Sequence, residues 1–283
     1  MGGATAVLGG IAGCITTSRD AEATMTETLD VDEASGLTVE GAVGDVTVRG
    51  ESRDDVRVEG TKRAGGEDGL ERVEVRTERT GRTLSVAVDR TEEDGLLQLS
   101  PTPLVDLHVR VPKAFRVSEA VVDTGDLSVD GVTGPLRAET DTGDLEATAV
   151  DGDLTARSDT GDQRIDGVTG RLNATVNTGE VTATGAAALG DVATDTGNLD
   201  VTAARLDGDA TVAADTGDVA LRFEEPLDAE VTVSTETGDI DVEHLGDVDR
   251  TETEGSFEAT VGDGTHSLSV STDTGDVTLS GGS

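Results

Sequence analysis

The amino-acid sequence predicts an all-β protein built as a β-solenoid, a single-stranded, β-helix-like stack of short coils. Three observations favour this fold. The tetrapeptide Asp-Thr-Gly-Asp returns through the second half of the chain, at first every 18 residues. Apolar and polar residues alternate around each copy, as in strands with one buried face. No stretch shows the i, i+3, i+4 apolar spacing of an amphipathic helix.

The composition of the 283-residue chain agrees with such a fold. Apolar residues make up 34%, against ~45–50% in ordinary globular domains, and aromatic residues only 1%. Low apolar content with high net charge is typical of disorder, but the strict repeat indicates order. A coil this short encloses a narrow core, which has room for Val, Leu, Ala and Thr but little room for large rings.

The charge excludes some functions and indicates a habitat. The formal net charge is −38, and Lys62 and Lys113 are the only lysines. At molar salt the Debye length is only ~3 Å, so repulsion between the surface charges is largely screened. Such a surface then stays hydrated without unfolding the chain. We therefore expect a halophilic source, an archaeon. A surface this acidic repels phosphate and excludes nucleic acid as a partner, and a single cysteine excludes a disulfide scaffold.

The N-terminus resembles the end of a secretory signal. Residues 1–14 are small, apolar and uncharged, and they close on Ile11-Ala12-Gly13-Cys14, which resembles a lipobox. Cys14 is the predicted lipidation site, followed by a polar tether over residues 15–27. Since no basic segment precedes the apolar stretch, we expect the true start to lie upstream. The predicted location is the extracellular face of the cell membrane, with the lipid as the only membrane contact.

Residues 28–118 are predicted as an irregular β region. Two strands flank the Gly44-Asp45 turn, as in an early version of the later repeat. A polar, Pro-containing loop is expected over residues 89–103. Further alternating segments predict the strands Val56–Gly60, Val73–Thr77, Leu84–Val88 and Val105–Pro112.

Residues 119–283 are predicted as the solenoid repeats, which form one domain together with residues 28–118. Each repeat carries two short alternating strands separated by Gly-containing turns. Glu254-Gly255-Ser256 occupies the slot expected before the last copy. The alternative architecture is a twisted antiparallel β-sandwich made of hairpins of this length. The copies begin at Asp123, Asp141, Asp159, Asn177, Asp195, Asp215, Glu236 and Asp273.

Within each copy the Thr-Gly step predicts a turn. Gly adopts a positive φ without steric cost, and the leading Asp can bond its own backbone two residues on. Stacked coils would align these carboxylates in columns, which attract cations. Two interpretations stay open: turn residues with diffuse counterions, or a ladder that holds Ca²⁺ through carboxylate and carbonyl oxygens. No other cofactor and no firm metal site is expected. The candidate turn residues are Asp123, Asp126, Asp141, Asp144, Asp159, Asp162, Asp195, Asp215, Asp218, Asp239, Asp273 and Asp276.

Three motifs give the chain a family resemblance. They are the opening Gly44–Val48 segment, the Leu107–Pro112 strand, and the serial Thr-Gly-Asp coils from Thr124 onward. With them, residues 28–280 resemble the adhesin-type family of bacterial and archaeal envelope proteins, a domain of unknown function. The resemblance implies a β-helix-like fold and a surface location, and it supplies no catalytic residues.

The sequence favours a protein that is not an enzyme. His108, His244 and His266 are scattered, and no phosphate loop or nucleophile elbow is present. Asp-Thr-Gly is also the aspartic-protease triplet, but here it recurs too often and is followed mainly by Asp. The β-helix enzymes that act on polysaccharides are the catalytic alternative. Their chemistry needs long loops that carry Asp with Lys or Arg, and the loops here are short.

Two non-catalytic functions are predicted. The first is an adhesin-like module whose acidic face binds an envelope protein or glycan, and the second is a structural spacer of the envelope. The chain stops at Val277–Ser283 with no capping helix. An uncapped last coil would invite edge pairing with a second copy, so a homo-oligomer through the solenoid edge is also considered.

Overall fold

The structure, a computed structural model, describes residues 19–91, 101–245 and 248–282. These residues form two compact units, one that ends at Gly134 and one that begins at Pro135. Almost all regular structure is β, which confirms the predicted class. No helix in the described part of the chain is long and apolar enough to cross a membrane. The predicted lipidation site, Cys14, lies outside the described residues.

The first unit contains nine strands and one short helix in its described residues. All the strands predicted for this half are present. The elements are β1 (Ala21–Asp30), β2 (Gly36–Val43), β3 (Val46–Glu51), β4 (Asp55–Ala64), α1 (Glu67–Leu70), β5 (Val73–Thr80), β6 (Thr83–Arg90), β7 (Leu104–Pro112), β8 (Val117–Thr124) and β9 (Leu127–Asp130).

The strands of the first unit form two sheets, with the orders β5–β6–β2–β8 and β1–β4–β7–β3–β9. β2 and β8 are parallel, and so are β3 and β9, because the chain turns at Gly44 and again at Gly125 and thus stacks one coil on another. The Gly44-Asp45 turn is therefore an early version of the repeat, as predicted. Antiparallel strands close the outer side of both sheets.

Residues 21–27 were predicted as part of a tether and instead form most of β1. The strand alternates small or apolar residues with polar ones, and Ala21, Ala23, Met25 and Leu29 are half-buried on one face. β1 lies beside β4 in the same sheet and pairs with it antiparallel from Ala21↔Ala64 onward. The tether can extend at most to Asp20.

The second unit contains fourteen strands in its described residues, arranged as stacked coils. They are β10 (Leu136–Thr142), β11 (Leu145–Val150), β12 (Leu154–Thr160), β13 (Gln163–Thr178), β14 (Val181–Thr196), β15 (Leu199–Arg205), β16 (Ala210–Thr216), β17 (Val219–Phe223), β18 (Ala229–Thr237), β19 (Ile240–Glu243), β20 (Asp249–Thr253), β21 (Ser256–Val261), β22 (His266–Thr274) and β23 (Val277–Ser280).

Each coil of the second unit contributes one strand to each of two sheets, and within each sheet the strands of successive coils run parallel. Leu136 pairs with Leu154 and Leu154 with Leu172, so the register advances by one repeat per coil. This parallel register confirms the solenoid and rules out the alternative sandwich of antiparallel hairpins. The first sheet has the order β10–β12–β13–β14–β16–β22–β18–β21–β20, and the second the order β11–β13–β14–β15–β17–β23–β19. β13 and β14 each bend from the second sheet into the first.

The order of the coils in space differs from their order in the sequence. The last coil, β22 with β23, lies between the coil of β16 and β17 and the coil of β18 and β19. Val277–Ser280 is therefore an inner strand, and the expectation that the chain end is an uncapped edge is wrong. Glu254-Gly255-Ser256 is also not a stacked turn: it is the tip of the antiparallel β20–β21 hairpin.

The glycine of each repeat allows the coils to stack closely. Gly161, Gly179, Gly197 and Gly217 have φ between +136° and +152°, a conformation that is strained for other residues. A Cβ at Gly197 would lie 1.9 Å from the carbonyl oxygen of Gly179. Both backbone conformation and contact with the neighbouring coil therefore require glycine.

One polar residue interrupts the apolar core. Gln163 is 1% exposed and occupies the position of Leu145 and Val181 in the neighbouring coils. Its Nε2 donates to Ser158 Oγ at 3.1 Å and to the Thr175 carbonyl at 2.8 Å, while its Oε1 has no hydrogen-bond partner. An unsatisfied buried acceptor is destabilising, so Gln163 costs the core some stability at this coil.

Replacing Gly197 with Ala should strongly destabilise the second unit. The new Cβ requires a backbone shift as well as a strained φ, so we expect a loss of about 2 kcal/mol or more in the free energy of unfolding. Chemical denaturation followed by circular dichroism measures it. Gly66→Ala is the control, because Gly66 has an extended φ of −177° and nothing within 4 Å of the added Cβ. Equal effects of both substitutions would contradict the stacking argument.

Candidate functional site: the acidic turn edge

At most turns the side chain of the fourth residue accepts a hydrogen bond from the neighbouring coil. The Oδ1 of Asp162 accepts a hydrogen bond from the Glu180 N–H at 2.9 Å, and the Oδ1 of Asp218 accepts one from the Asp276 N–H at 2.9 Å. Such bonds between coils explain the acidic residue at this place, because its carboxylate satisfies a turn N–H that faces no strand. The same bond recurs at 2.9–3.1 Å from Asp126 N–H to Asp45, Asp162 N–H to Asp144, Asp218 N–H to Asn198 and Asp239 N–H to Asp276.

The leading residue of each turn has a different environment. Asp141, Asp159, Asp195, Asp215 and Asp273 are all exposed. None of these five carboxylates accepts a hydrogen bond from its own turn, in contrast to the prediction. The single hydrogen bond found at the described leading positions joins neighbouring coils, from Asn177 Nδ2 to Asp159 Oδ1 at 3.2 Å.

Threonine side chains extend the exposed edge. The Thr that follows each leading residue is exposed, and these residues stack in register from coil to coil, with Thr160 between Thr142 and Thr178. We call the leading residues of the second unit and the Thr residues that follow them the turn column. The column therefore presents alternating carboxylates and hydroxyl groups to solvent.

The residue before each leading position points inward and closes the turn from the core side. The Thr272 hydroxyl donates to the Gly217 carbonyl at 2.9 Å, and the Thr235 hydroxyl to the Gly275 carbonyl at 3.0 Å. Both side chains are nearly buried. The turns at Gly217 and Gly275 are therefore held from outside by the carboxylates of Asp218 and Asp276 and from inside by a threonine hydroxyl.

Two of the predicted acidic positions, Asp144 and Asp162, meet Glu180 at a depression of about 410 Å³ beside the turns. Asp144, Asp162 and Glu180 line it through three successive coils. Glu146 and Arg164 add opposite charges, and Thr182 donates to Glu180 at 3.4 Å. The complete lining is Asp144, Leu145, Glu146, Asp162, Gln163, Arg164, Glu180 and Thr182.

The acidic positions do not form a compact set of ligands. Among the described residues, no group of three or more His, Cys, Asp or Glu side chains is placed to hold a metal ion. His108, His244 and His266 lie on β7, after β19 and at the start of β22, as scattered as the sequence predicts. Binding of Ca²⁺ along the turns stays a prediction.

Sequence comparison gives the family. Residues 34–280 match the family described as Toastrack DUF4097. The chain belongs to this family. The match covers most of the Toastrack chain and both of its units, so the predicted family resemblance is confirmed. No curated protein is detectably similar to the chain.

Several solved structures are similar to this Toastrack chain at low sequence identity. A protein from Parabacteroides distasonis with the name "putative adhesin" is 12% identical, has a TM-score of 0.50, and matches over 90% of this chain and 96% of its own. A protein of the same name from Parabacteroides merdae is 13% identical, with a TM-score of 0.49 over 90% and 95%. A "putative lipid binding protein" from P. distasonis is 12% identical, with a TM-score of 0.44 over 92% and 98%.

A second series of bonds between coils was not predicted. It lies where the chain enters the first sheet, and it again joins an Asp or Asn side chain to an N–H of the next coil. Asp153 accepts from Arg171 N–H at 2.9 Å, and Asp191 from Thr211 N–H at 2.9 Å. The sequence contains only part of the signal for it: Asp153 and Asp209 directly precede β12 and β16, whereas Asn173 and Asp191 lie within β13 and β14.

Asp228 was also missed, because it lies outside the repeat motif. Its Oδ1 accepts from Asp263 N–H at 2.8 Å, and its Oδ2 accepts from the Thr265 hydroxyl at 2.6 Å. The Thr265 hydroxyl, with the neighbouring backbone N–H groups, lowers the pKa of Asp228 below its usual value, because these bonds favour the ionised form. Asp228 therefore fixes the loop that leads into the inserted last coil.

Asp218→Ala should destabilise the second unit, because it removes the carboxylate that satisfies the Asp276 N–H. We expect a loss of about 1 kcal/mol in the free energy of unfolding, measured by chemical denaturation. Asp218→Asn should change it little, since Asn198 makes the same bond naturally. Asp215→Ala is the matched control at a leading position without such a bond. A cost for Asp215→Ala as large as that for Asp218→Ala would refute the distinction between the two positions.

The Asp228 cluster should contribute a pH-dependent stability. Its folded pKa is lowered, so its contribution is complete above the unfolded value of about 3.9 and disappears as pH falls through the folded pKa. Unfolding of wild type and Asp228→Asn is compared in urea between pH 3 and pH 7. We expect the difference between the two proteins to be constant above about pH 5 and to shrink towards pH 3. A difference that does not change with pH would rule this role out.

Proposed function

We propose that this Toastrack chain is a non-catalytic, adhesin-like module of the cell surface, anchored by a lipid at Cys14, whose acidic edge binds an envelope protein or glycan. The observation that carries the proposal is the turn column, in which exposed leading residues stack from Asp141 to Asp273 along one edge of the second unit. A repeated array of similar polar groups suits a repetitive partner such as an envelope polymer.

The hydrogen bonds of the turns support a binding role for the leading residues. Fourth-position carboxylates such as those of Asp162 and Asp218 accept hydrogen bonds from backbone N–H groups of the next coil. Their presence is therefore explained by their role in the fold. Leading carboxylates such as Asp195 and Asp215 make no such bond, although acidic residues placed in register repel one another. A function in recognition accounts for side chains that the fold does not need. The structural relative named as a "putative adhesin" agrees with a surface role.

The proposal includes a halophilic source. Most of the basic residues lie in the first unit, where Arg63, Arg76 and Arg110 form ion pairs, so the net charge of −38 falls mainly on the solenoid. Repulsion along the turn column is screened at molar salt. A partner would then be recognised through hydrogen bonds and shared cations more than through long-range attraction.

Neutralising the turn column should weaken retention of the full-length protein on envelope preparations by several-fold. The test variant is Asp159→Asn with Asp195→Asn and Asp215→Asn, since Asn177 already occupies a leading position in this chain. The control variant removes three exposed charges elsewhere on the strands: Asp200→Asn, Glu230→Gln and Glu258→Gln. Retention is measured by sedimentation with cell-wall and membrane fractions in molar NaCl, and the control should bind like wild type.

The remaining outcomes distinguish the other functions. Equal retention of both variants, or no retention of wild type, would favour the structural spacer. Release of reducing ends from envelope polysaccharide by the purified protein would show an enzyme instead.

The lipid anchor has its own test. In cells that produce the protein, Cys14→Ser should abolish metabolic labelling with lipid and release the protein into the medium. Unchanged labelling would refute the anchor.

A further inference from the structure

The two sheets of the second unit end at different levels. In the first sheet, two antiparallel strands, β21 and β20, follow β18. In the second sheet, β19 is the last strand, and it pairs only with β23 in the described part of the chain. The second sheet therefore lacks a strand opposite the added hairpin.

The free side of β19 presents backbone groups without partners. The carbonyls of Asp239 and Glu243 accept from Val277 and Gly281 at 2.9 and 3.0 Å, so the odd-numbered residues face β23. In a parallel ladder alternate residues point to opposite sides. The N–H and C=O groups of Ile240 and Val242 therefore point away from β23, and no hydrogen bond from any described residue reaches them.

The core is incompletely covered at the same place. Val277 and Leu279 on the neighbouring strand are 0% exposed. Ile240 and Val242, in register with them, are only half-buried. The difference arises because no further strand lies beyond β19. An added strand would bury both side chains and satisfy both pairs of backbone groups.

The charge around β19 specifies what such a strand must carry. Asp239, Asp241 and Glu243 are exposed on the outer face. Among the described residues, the one basic side chain within ion-pair distance of them is His244, whose Nδ1 lies 3.6 Å from Glu243. A second copy that paired through its own β19 would place like charges together, which is unfavourable. A basic strand would instead meet opposite charges.

We propose that β19 binds an extended, basic segment of a partner protein by strand addition. Alternate apolar side chains of the segment would cover Ile240 and Val242, and the intervening Arg or Lys side chains would lie beside Asp241 and Glu243. Backbone hydrogen bonds supply affinity, and the charges supply selectivity. This site lies at the end of the second sheet, directly after the turn at residues 236–239, and it uses backbone and side-chain groups of β19 that are not part of the turn column. It does not depend on the function proposed for that column.

The test uses the full chain and fluorescein-labelled peptides of about eight residues, which alternate Val with Arg or Lys. Fluorescence anisotropy, at the lowest NaCl concentration at which circular dichroism shows the protein to be folded, should show saturable binding of this basic peptide and none of a peptide that alternates Val with Glu. Asp241→Lys with Glu243→Lys should weaken the basic peptide by about tenfold or more and allow the acidic one to bind. Asp200→Lys is the matched control, because Asp200 lies on β15, which is paired on both sides.

Two further measurements separate strand addition from simple charge attraction. A basic peptide N-methylated at alternate amides should bind about tenfold more weakly or worse, since it cannot form the ladder. Amide hydrogen exchange should show protection of Ile240 and Val242 when the unmodified peptide is bound. Circular dichroism confirms that each variant is folded.

Three results would overturn the proposal. Equal binding of the methylated and unmethylated peptides would show non-specific attraction. A loss of affinity in Asp200→Lys as large as that in the Asp241→Lys, Glu243→Lys variant would show the same. Protection of Ile240 and Val242 that depends on protein concentration without peptide would identify a second copy as the occupant.

Discussion

The close contact between successive turn glycines is the constraint on which the second unit depends. Each glycine holds a φ that other residues avoid, and its α-carbon lies against the carbonyl of the glycine before it. Because the turns stack so closely, the strands that leave them are kept in register, and Leu136, Leu154 and Leu172 come to lie one above another. The alternating core, the two sheets and the exposed column all follow from this stacking.

Stacking also determines what the turn side chains can do. The N–H of each fourth residue points along the stack, where only the side chain of the previous coil can reach it, so Asp or Asn is favoured there. A longer side chain is less suitable: no hydrogen bond joins the Glu180 carboxylate to the Asn198 N–H. The leading side chain points into solvent and stays available. Two acidic residues three positions apart thus have separate roles, one in the fold and one at the surface.

The sequence predicts the coil well and the order of coils poorly. Spacing and alternation identify the strands, the turn glycines and even the early turn at Gly44, because these depend on local chemistry. The position of β22 and β23 depends on pairing between distant residues of nearly identical sequence, which a repeat pattern cannot distinguish. Ala21–Asp30 was missed because its alternation uses small residues. The hydrogen bonds of Asp153 and Asp228 were missed because their partners are far away in the sequence.

The inserted last coil has a consequence for how the protein is made. β22 and β23 are synthesised after the two coils that they separate. β18 and β19 cannot take their final places during translation, since the surface they pack on is still missing. The first coils can assemble as they emerge, whereas β18 and β19 must wait until β22 and β23 have been made. A nascent chain that has not reached β22 would therefore leave the free sides of β16 and β17 unpaired, and the arrival of β22 and β23 closes the stack.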